Sequence, residues 1–168
     1  MLRNLGGVQA LRETPFVLPT GEFYGRMPAE GHERAQALFE RTKALMDVAD
    51  WPCDLAARQE VGGEVGEYWV LQPDGKGVAG TFEAREGRVV ITYAPSLVQK
   101  PLNLITTFAH ELAHYIISGL EERPPGAEQE PLLEELATDL SVTYFGFGVF
   151  GANAAFDVVR GLGIEQLA

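Results

Sequence analysis

The sequence predicts an α+β domain in which a small, mostly antiparallel sheet packs on two consecutive helices. Strand-like segments are grouped between residues 67 and 93, and helix-like segments follow at 101–118 and 132–144. Strands and helices that occupy separate parts of a chain are typical of the α+β class. A third observation, the spacing of two histidines and a glutamate inside segment 101–118, predicts that these helices carry a chemical site.

The composition indicates a single domain with a large negative charge. The chain has 168 residues, enough to bury one core, and its net charge is −11. A nucleic-acid or anionic-membrane surface would need a basic patch, so the charge disfavours both partners. We expect one domain over residues 29–168 after an N-terminal arm at 1–28. Charges and prolines interrupt the apolar stretch that a secretory signal would need, which favours a cytoplasmic protein.

The first half of the chain predicts an arm and then a helix. Prolines and glycines punctuate residues 1–28 and predict an irregular arm that lies on the domain or is partly mobile. Residues 29–50 carry apolar side chains at helical spacing, with charges opposite. They predict an amphipathic helix that stops near Trp51 and Pro52.

His32 and Cys53 carry reactive groups but have no partner near them in the sequence. His32 lies at the exposed start of the first long helix, and we interpret it as a surface residue. Cys53 is the single cysteine and cannot form an intrachain disulfide, so we interpret it as a packing thiol rather than a nucleophile.

The middle of the chain predicts three strands. Residues 68–71 form a short aromatic and β-branched run that is closed by turn residues at 73–75. Segments 80–84 and 88–93 flank the turn 85–87 and predict a hairpin.

An apolar helical run follows, and it contains the pattern HExxH. Pro101 suits its first turn, Gly119 suits its end, and the motif residues between them are His110, Glu111 and His114. The i, i+4 spacing puts both imidazoles on one helix face, where one tetrahedral Zn²⁺ can take a nitrogen from each at roughly 2.0–2.1 Å.

Glu111 lies on the next strip of the same helix, beside the metal rather than on it. From there its carboxylate can take a proton from a water whose pKa zinc lowers to about 7, and can return the proton to a leaving amine. The alternative is a histidine pair that only packs the helix, with a solvated glutamate between its members.

A catalytic zinc needs three protein ligands and one open position, so HExxH alone is incomplete. The loop at 121–131 and the helix predicted at 132–144 can return Glu135 to the motif, and Glu135 is the candidate third ligand. Glu134 is an alternative, and a merely solvated acidic face is another. Asp139, at i+4 from Glu135, shares its face and could accept the free N–H of a ligating imidazole.

From roughly residue 67 to residue 144, the chain resembles the gluzincin branch of the zincin metallopeptidases. The residues that carry the resemblance are His110, Glu111, His114, Glu135 and Asp139. The resemblance implies a zincin-like fold and one Zn²⁺. It also implies hydrolysis of peptide bonds in a peptide or protein substrate. In that family the edge strand of the sheet binds the substrate backbone in extended form, which here implies the segment around Thr81, Phe82 and Glu83.

The chain also departs from related patterns. Ile117 and Leu120 stand where a metzincin has a glycine and a third histidine, which excludes that branch. The sequence lacks a later histidine that could polarise the substrate carbonyl. Tyr93, Tyr115 or Tyr144 could donate that hydrogen bond, and the sequence does not choose between them.

Two further patterns favour packing over function. Residues 146–151 match GxGxxG, but a dinucleotide site needs a second parallel strand and an acid about twenty residues on. We interpret these glycines as small surfaces for close helix packing. The uncharged run 140–156 is short and glycine-rich, so it predicts buried core and no membrane span.

Taken together, these patterns predict a zinc metallopeptidase with Glu111 as its general base. The competing hypothesis is a zincin-fold regulatory or peptide-binding protein that holds metal for structure or sensing. An open fourth coordination position separates the two. The sequence does not determine the oligomeric state.

Overall fold

A computed structural model describes residues 6–28, 30–58, 80–85, 88–120 and 130–153, and it is a mixture of helices and strands, as predicted for an α+β domain. The elements in chain order are α1 Gly7–Glu13, α2 Gly21–Tyr24, α3 Gly31–Leu45, β1 Cys53–Ala57, β2 Gly80–Arg85, β3 Arg88–Tyr93, a 3-10 helix Pro95–Gln99, α4 Pro101–Ser118 and α5 Pro131–Tyr144. The strand expected at 68–71 and its turn lie outside the described residues.

The described sheet has three strands in the order β1-β3-β2. Strands β2 and β3 pair antiparallel, with Gly80 opposite Tyr93, as expected of the predicted hairpin. Strand β1 pairs with β3 in parallel, with Cys53 opposite Val89. The described sheet is therefore mixed, which corrects the expectation of a mostly antiparallel sheet. The sequence CDLAA of β1 does not alternate and has no β-branched residue, so only its pairing with β3 defines it as a strand.

Helix α4 is the central element of the fold, because it packs against α3, α5 and the strands β2 and β3. Its Phe108 side chain is fully buried and makes edge-on ring contacts with Phe39 of α3 at 5.2 Å and with Tyr93 of β3 at 5.9 Å. Each such buried aromatic removes a large apolar area from water, and the pairing geometry adds roughly 0.5–1.5 kcal/mol per pair. This packing sets how α4 presents its remaining face to α5.

The N-terminal segment differs from the irregular arm that was expected, because it contains the helices α1 and α2 and contributes to the core. Val17 is 1% exposed, and its N–H donates to the carbonyl of Gly146 at 3.0 Å. Tyr24 is also buried, and its hydroxyl lies 3.2 Å from that of Thr42. The prolines of this segment indicate where regular structure breaks, but they carry no information about which side chains pack.

Helix α3 ends at Leu45, short of the predicted end near Trp51. Asp47 adopts a left-handed conformation with φ 60°, and the N–H of Val48 donates to the carbonyl of Lys43 at 3.0 Å. Met46 and Val48 are buried on either side of this turn. The helix therefore ends in a Schellman motif, in which the left-handed Asp47 reverses the chain and the N–H groups of Asp47 and Val48 satisfy the last carbonyls of the helix.

The glycine pattern at 146–151 supports its interpretation as packing at Gly146 but not at Gly151, which has nothing within 4 Å of its Cβ position. Gly146 has φ +89°, and a Cβ there would lie 2.2 Å from the carbonyl oxygen of Pro15. Phe147 and Phe150 beside it are fully buried. None of the described helices combines the length and apolar character that crossing a bilayer requires.

We expect Gly146→Ala to destabilise the protein by about 2 kcal/mol or more. A left-handed conformation costs roughly 1–2 kcal/mol for a residue with a Cβ, and the approach of the Pro15 carbonyl adds to that cost. Gly151→Ala is the matched control, because it lies in the helical stretch 148–153 with nothing within 4 Å of its Cβ position. Urea unfolding of the two variants should show a large loss for Gly146→Ala and no loss for Gly151→Ala. Equal stability of the two would contradict the packing role of Gly146.

Candidate metal centre

The HExxH residues lie in the buried middle of α4. His110 is 8% exposed, Glu111 is 2% exposed and His114 is partly buried. The helix forms here because apolar residues surround the motif on most sides, and Leu112 and Ala113 within it are fully buried. Both imidazoles contact α5, which packs on the side of α4 that these apolar residues leave open.

Helix α5 brings Glu135 against both histidines. One carboxylate oxygen lies 3.2 Å from Nε2 of His110, and the other lies 3.4 Å from Nε2 of His114. The two Nε2 atoms are 3.1 Å apart. His110, His114 and Glu135 form a group whose potential ligand atoms lie within 4.8 Å of one another, and it could hold a metal ion.

The atoms of this cluster are close enough to share one metal ion. The two Nε2 atoms are 3.1 Å apart, and each lies near a different oxygen of Glu135, at 3.2 Å for His110 and 3.4 Å for His114. Two imidazole nitrogens and a carboxylate are also a donor set that zinc binds in catalytic sites. Such groups repel one another when they converge without a positive charge or a proton between them, so either a metal ion or a proton on an imidazole must lie among them.

Asp139 supports the other side of His110. Its carboxylate oxygen Oδ1 lies 3.0 Å from Nδ1 of His110, although the Asp139 side chain is 70% exposed. An acceptor on Nδ1 keeps a proton on that nitrogen and directs the lone pair of Nε2 toward Glu135 and His114. This is the contact that the i+4 spacing from Glu135 suggested.

In the metal-free protein the same contacts shift the pKa values of His110 and Glu135. Burial by itself would lower the pKa of His110, but hydrogen bonds to Asp139 and Glu135 outweigh it and raise the pKa to about 9. Burial would raise the pKa of Glu135, but hydrogen bonds from His110 and His114 outweigh it and lower the pKa to about 2. Without metal, a proton on His110 therefore offsets the negative charge of the neighbouring carboxylates.

We expect His110 of the metal-free protein to titrate near pH 9 in an NMR titration, well above its usual value of 6.5. Because the folded pKa is raised, the contribution of His110 to the free energy of unfolding is fully present below pH 6.5. It is lost as the pH rises through about 9. Asp139→Asn should lower the midpoint, since it removes the charged acceptor. A midpoint for His110 that Asp139→Asn leaves unchanged would contradict this account.

Glu111 differs from the acids on α5 in being almost fully buried. Its Oε1 atom is buried and has no hydrogen-bond partner among the described residues. Burial raises the pKa of Glu111, and the charges of His110 and His114 oppose that shift. A buried carboxylate oxygen without a partner is costly, so this atom is suited to a hydrogen bond with water or a bound molecule.

Glu134 and Thr138, which flank Glu135 on α5, lie on the Nδ1 side of the His114 ring. The Oε1 atom of Glu134 lies 4.0 Å from Nδ1 of His114. The hydroxyl of Thr138 lies 3.3 Å from the same nitrogen. The geometry therefore favours Glu135 over Glu134 as the third ligand. Thr138 was not predicted, and its only signal in the sequence is its position at i+3 from Glu135.

The tyrosines considered as carbonyl-polarising groups hydrogen-bond outside the cluster. Tyr144 donates to the carbonyl of Gly7, and Tyr115 donates to that of Pro52. The hydroxyl of Tyr93 lies 2.9 Å from Nδ1 of His32. These contacts select none of the three for that role.

The other predicted positions lie apart from the cluster. His32 is exposed on α3, as expected, and Cys53 is half-buried in β1, where burial raises the pKa of its thiol to about 11 and disfavours a nucleophile. Residues 81–83 lie in β2, which has β3 as its neighbour on one side and forms one edge of the described sheet.

Comparisons of the chain with protein-family models, with curated proteins and with solved structures each found no significant match. What the centre does is therefore inferred from its own residue types, distances and burial.

Proposed function

We propose that the protein is a zinc-dependent metallopeptidase. The observation that carries this proposal is the arrangement of α4 and α5. Potential ligand atoms of His110, His114 and Glu135 converge, while the buried carboxylate of Glu111 has an oxygen for which the described part of the chain offers no hydrogen-bond partner. Three ligands and one free carboxylate are the groups that metal-assisted hydrolysis needs from a protein.

The residues have separate tasks in this proposal. His110, His114 and Glu135 would hold the ion, and Asp139 orients His110 through Nδ1. Zinc would supply a positive charge that lowers the pKa of water and polarises the scissile carbonyl. Glu111 would accept a proton from the attacking water and donate it to the leaving amine. The raised pKa of Glu111 suits a group that must both take and return a proton.

Strand β2 offers a place for the substrate backbone. It forms an edge of the described sheet, and α4 packs against it. An extended peptide can add to such an edge through main-chain hydrogen bonds. In the proposal this edge, residues 81–83, aligns the peptide beside the metal centre.

A zinc-binding regulatory protein is the competing function. Ligand convergence alone is compatible with it, because a structural or sensing site also needs ligands. The buried Glu111 favours the hydrolase, since burying a carboxylate that contributes no ligand costs stability, and a role in proton transfer explains why such a group stands there.

The proposal is tested by metal analysis and a cleavage screen on the same preparation. The purified chain should bind about one Zn²⁺ and should cleave members of a broad peptide library, and a chelator should abolish the cleavage. A native, metal-free protein that cannot be loaded with zinc would overturn the site. A zinc-loaded protein that cleaves nothing would favour the regulatory function.

A further inference from the structure

Thr138 lies in the metal centre and is fully buried between α5 and α4. Its hydroxyl donates to the carbonyl of Glu134 at 2.9 Å. The same oxygen lies 3.3 Å from Nδ1 of His114. The residue thus faces the second histidine of the motif from the side opposite to Nε2.

The donor count of Thr138 decides the direction of its contact with His114. A hydroxyl has one hydrogen and two acceptor lone pairs, and the hydrogen is used on the Glu134 carbonyl. The oxygen can therefore bond to Nδ1 of His114 only as an acceptor, so this contact favours the tautomer of the neutral ring with its proton on Nδ1. The Glu134 carboxylate, 4.0 Å from this nitrogen, is beyond hydrogen-bond distance.

We infer that Thr138 is a positioning residue that holds His114 in the tautomer whose Nε2 lone pair is free. It does for His114 what Asp139 does for His110. Unlike Asp139, it adds no charge to a centre that already contains the carboxylates of Glu111 and Glu135. The consequence for zinc affinity rests on the zinc site proposed above, whereas the consequence for the tautomer does not.

Zinc affinity provides the first test, measured by competition with a chelator. Thr138→Val keeps the shape of the side chain but removes the acceptor, and it should weaken zinc binding by roughly 10–100-fold. Thr138→Ser keeps the hydroxyl and should bind zinc as the wild type does. Thr107→Val is the matched control, because Thr107 is also buried and donates to a carbonyl four residues earlier, that of Asn103 at 3.0 Å. It should leave zinc affinity unchanged.

The second test is the tautomer of His114 in the metal-free protein, which long-range ¹⁵N–¹H NMR spectra report directly. Because the Glu135 carboxylate, 3.4 Å from Nε2, competes with Thr138 for the proton of the ring, the test is the change on substitution: Thr138→Val should lower the fraction of neutral rings that carry the proton on Nδ1. An equal Nδ1-protonated fraction in the wild type and in Thr138→Val would overturn the inference. So would equal zinc affinities of Thr138→Val and Thr107→Val. Failure of the wild type to bind zinc would overturn the proposed function, while the NMR result would still decide the role of Thr138.

Discussion

Glu111→Gln is expected to keep its zinc and its fold while losing peptide hydrolysis by roughly 10²-fold or more. Glutamine has the size of glutamate and can still form hydrogen bonds, but it cannot accept a proton from water. Glu111 is 2% exposed and lies outside the ligand group, so the substitution leaves His110, His114 and Glu135 in place. The loss should therefore appear in kcat/KM for peptide cleavage and not in metal content.

The control for this prediction is Glu33→Gln, the same chemical change at an exposed position on α3. It should leave both zinc content and cleavage unchanged. Binding of an uncleaved peptide should survive in Glu111→Gln, because the edge strand is unaltered. If the wild type cleaves nothing and a partner binds equally to the wild type and to Glu111→Gln, Glu111 has no catalytic role. The regulatory function then replaces the peptidase function.

The second large effect is expected on zinc affinity when the α5 glutamates are replaced one at a time. Glu135→Ala should weaken zinc binding far more than Glu134→Ala, because Glu135 approaches both Nε2 atoms, at 3.2 and 3.4 Å, whereas Glu134 approaches only Nδ1 of His114 at 4.0 Å. The loss should exceed the roughly 10–100-fold that is typical of residues that only orient a ligand. The loss of zinc affinity in Asp139→Asn should be smaller than that in Glu135→Ala and larger than that in Glu134→Ala.

Chelator competition and metal analysis of the two variants measure this difference on a common scale. His114→Ala, which removes a motif ligand, is the reference for loss of the site and should lose most of its zinc. Circular dichroism should show all of these variants folded, since Glu134 and Glu135 are both partly exposed. Greater damage from Glu134→Ala than from Glu135→Ala would mean that the ligand is the preceding residue on α5.

Much of the helical structure around the centre could be predicted because it depends on neighbouring residues. The helix expected at 101–118 is observed with the same bounds, and the one expected at 132–144 begins one residue earlier. Apolar spacing and terminal proline or glycine signals are local, and so is the i, i+4 geometry that puts His110 and His114 on one face. The parallel strand β1 and the buried contacts of the N-terminal segment could not be predicted in this way, because their partners are distant in sequence.

The sequence by itself determined the two histidines, the glutamate between them and the pair of acids from which a third ligand could come. Only the tertiary structure showed that Glu135, the candidate ligand, lies closer to the histidines than Glu134 does, and only it revealed Thr138. Adjacent helix residues point about 100° apart, and which of them faces α4 depends on how α5 packs, which its own sequence does not state. The packing turns Glu135 toward both Nε2 atoms and Thr138 toward Nδ1 of His114. Residue spacing within one helix is a local property, whereas the alignment of two helices is set by the whole core.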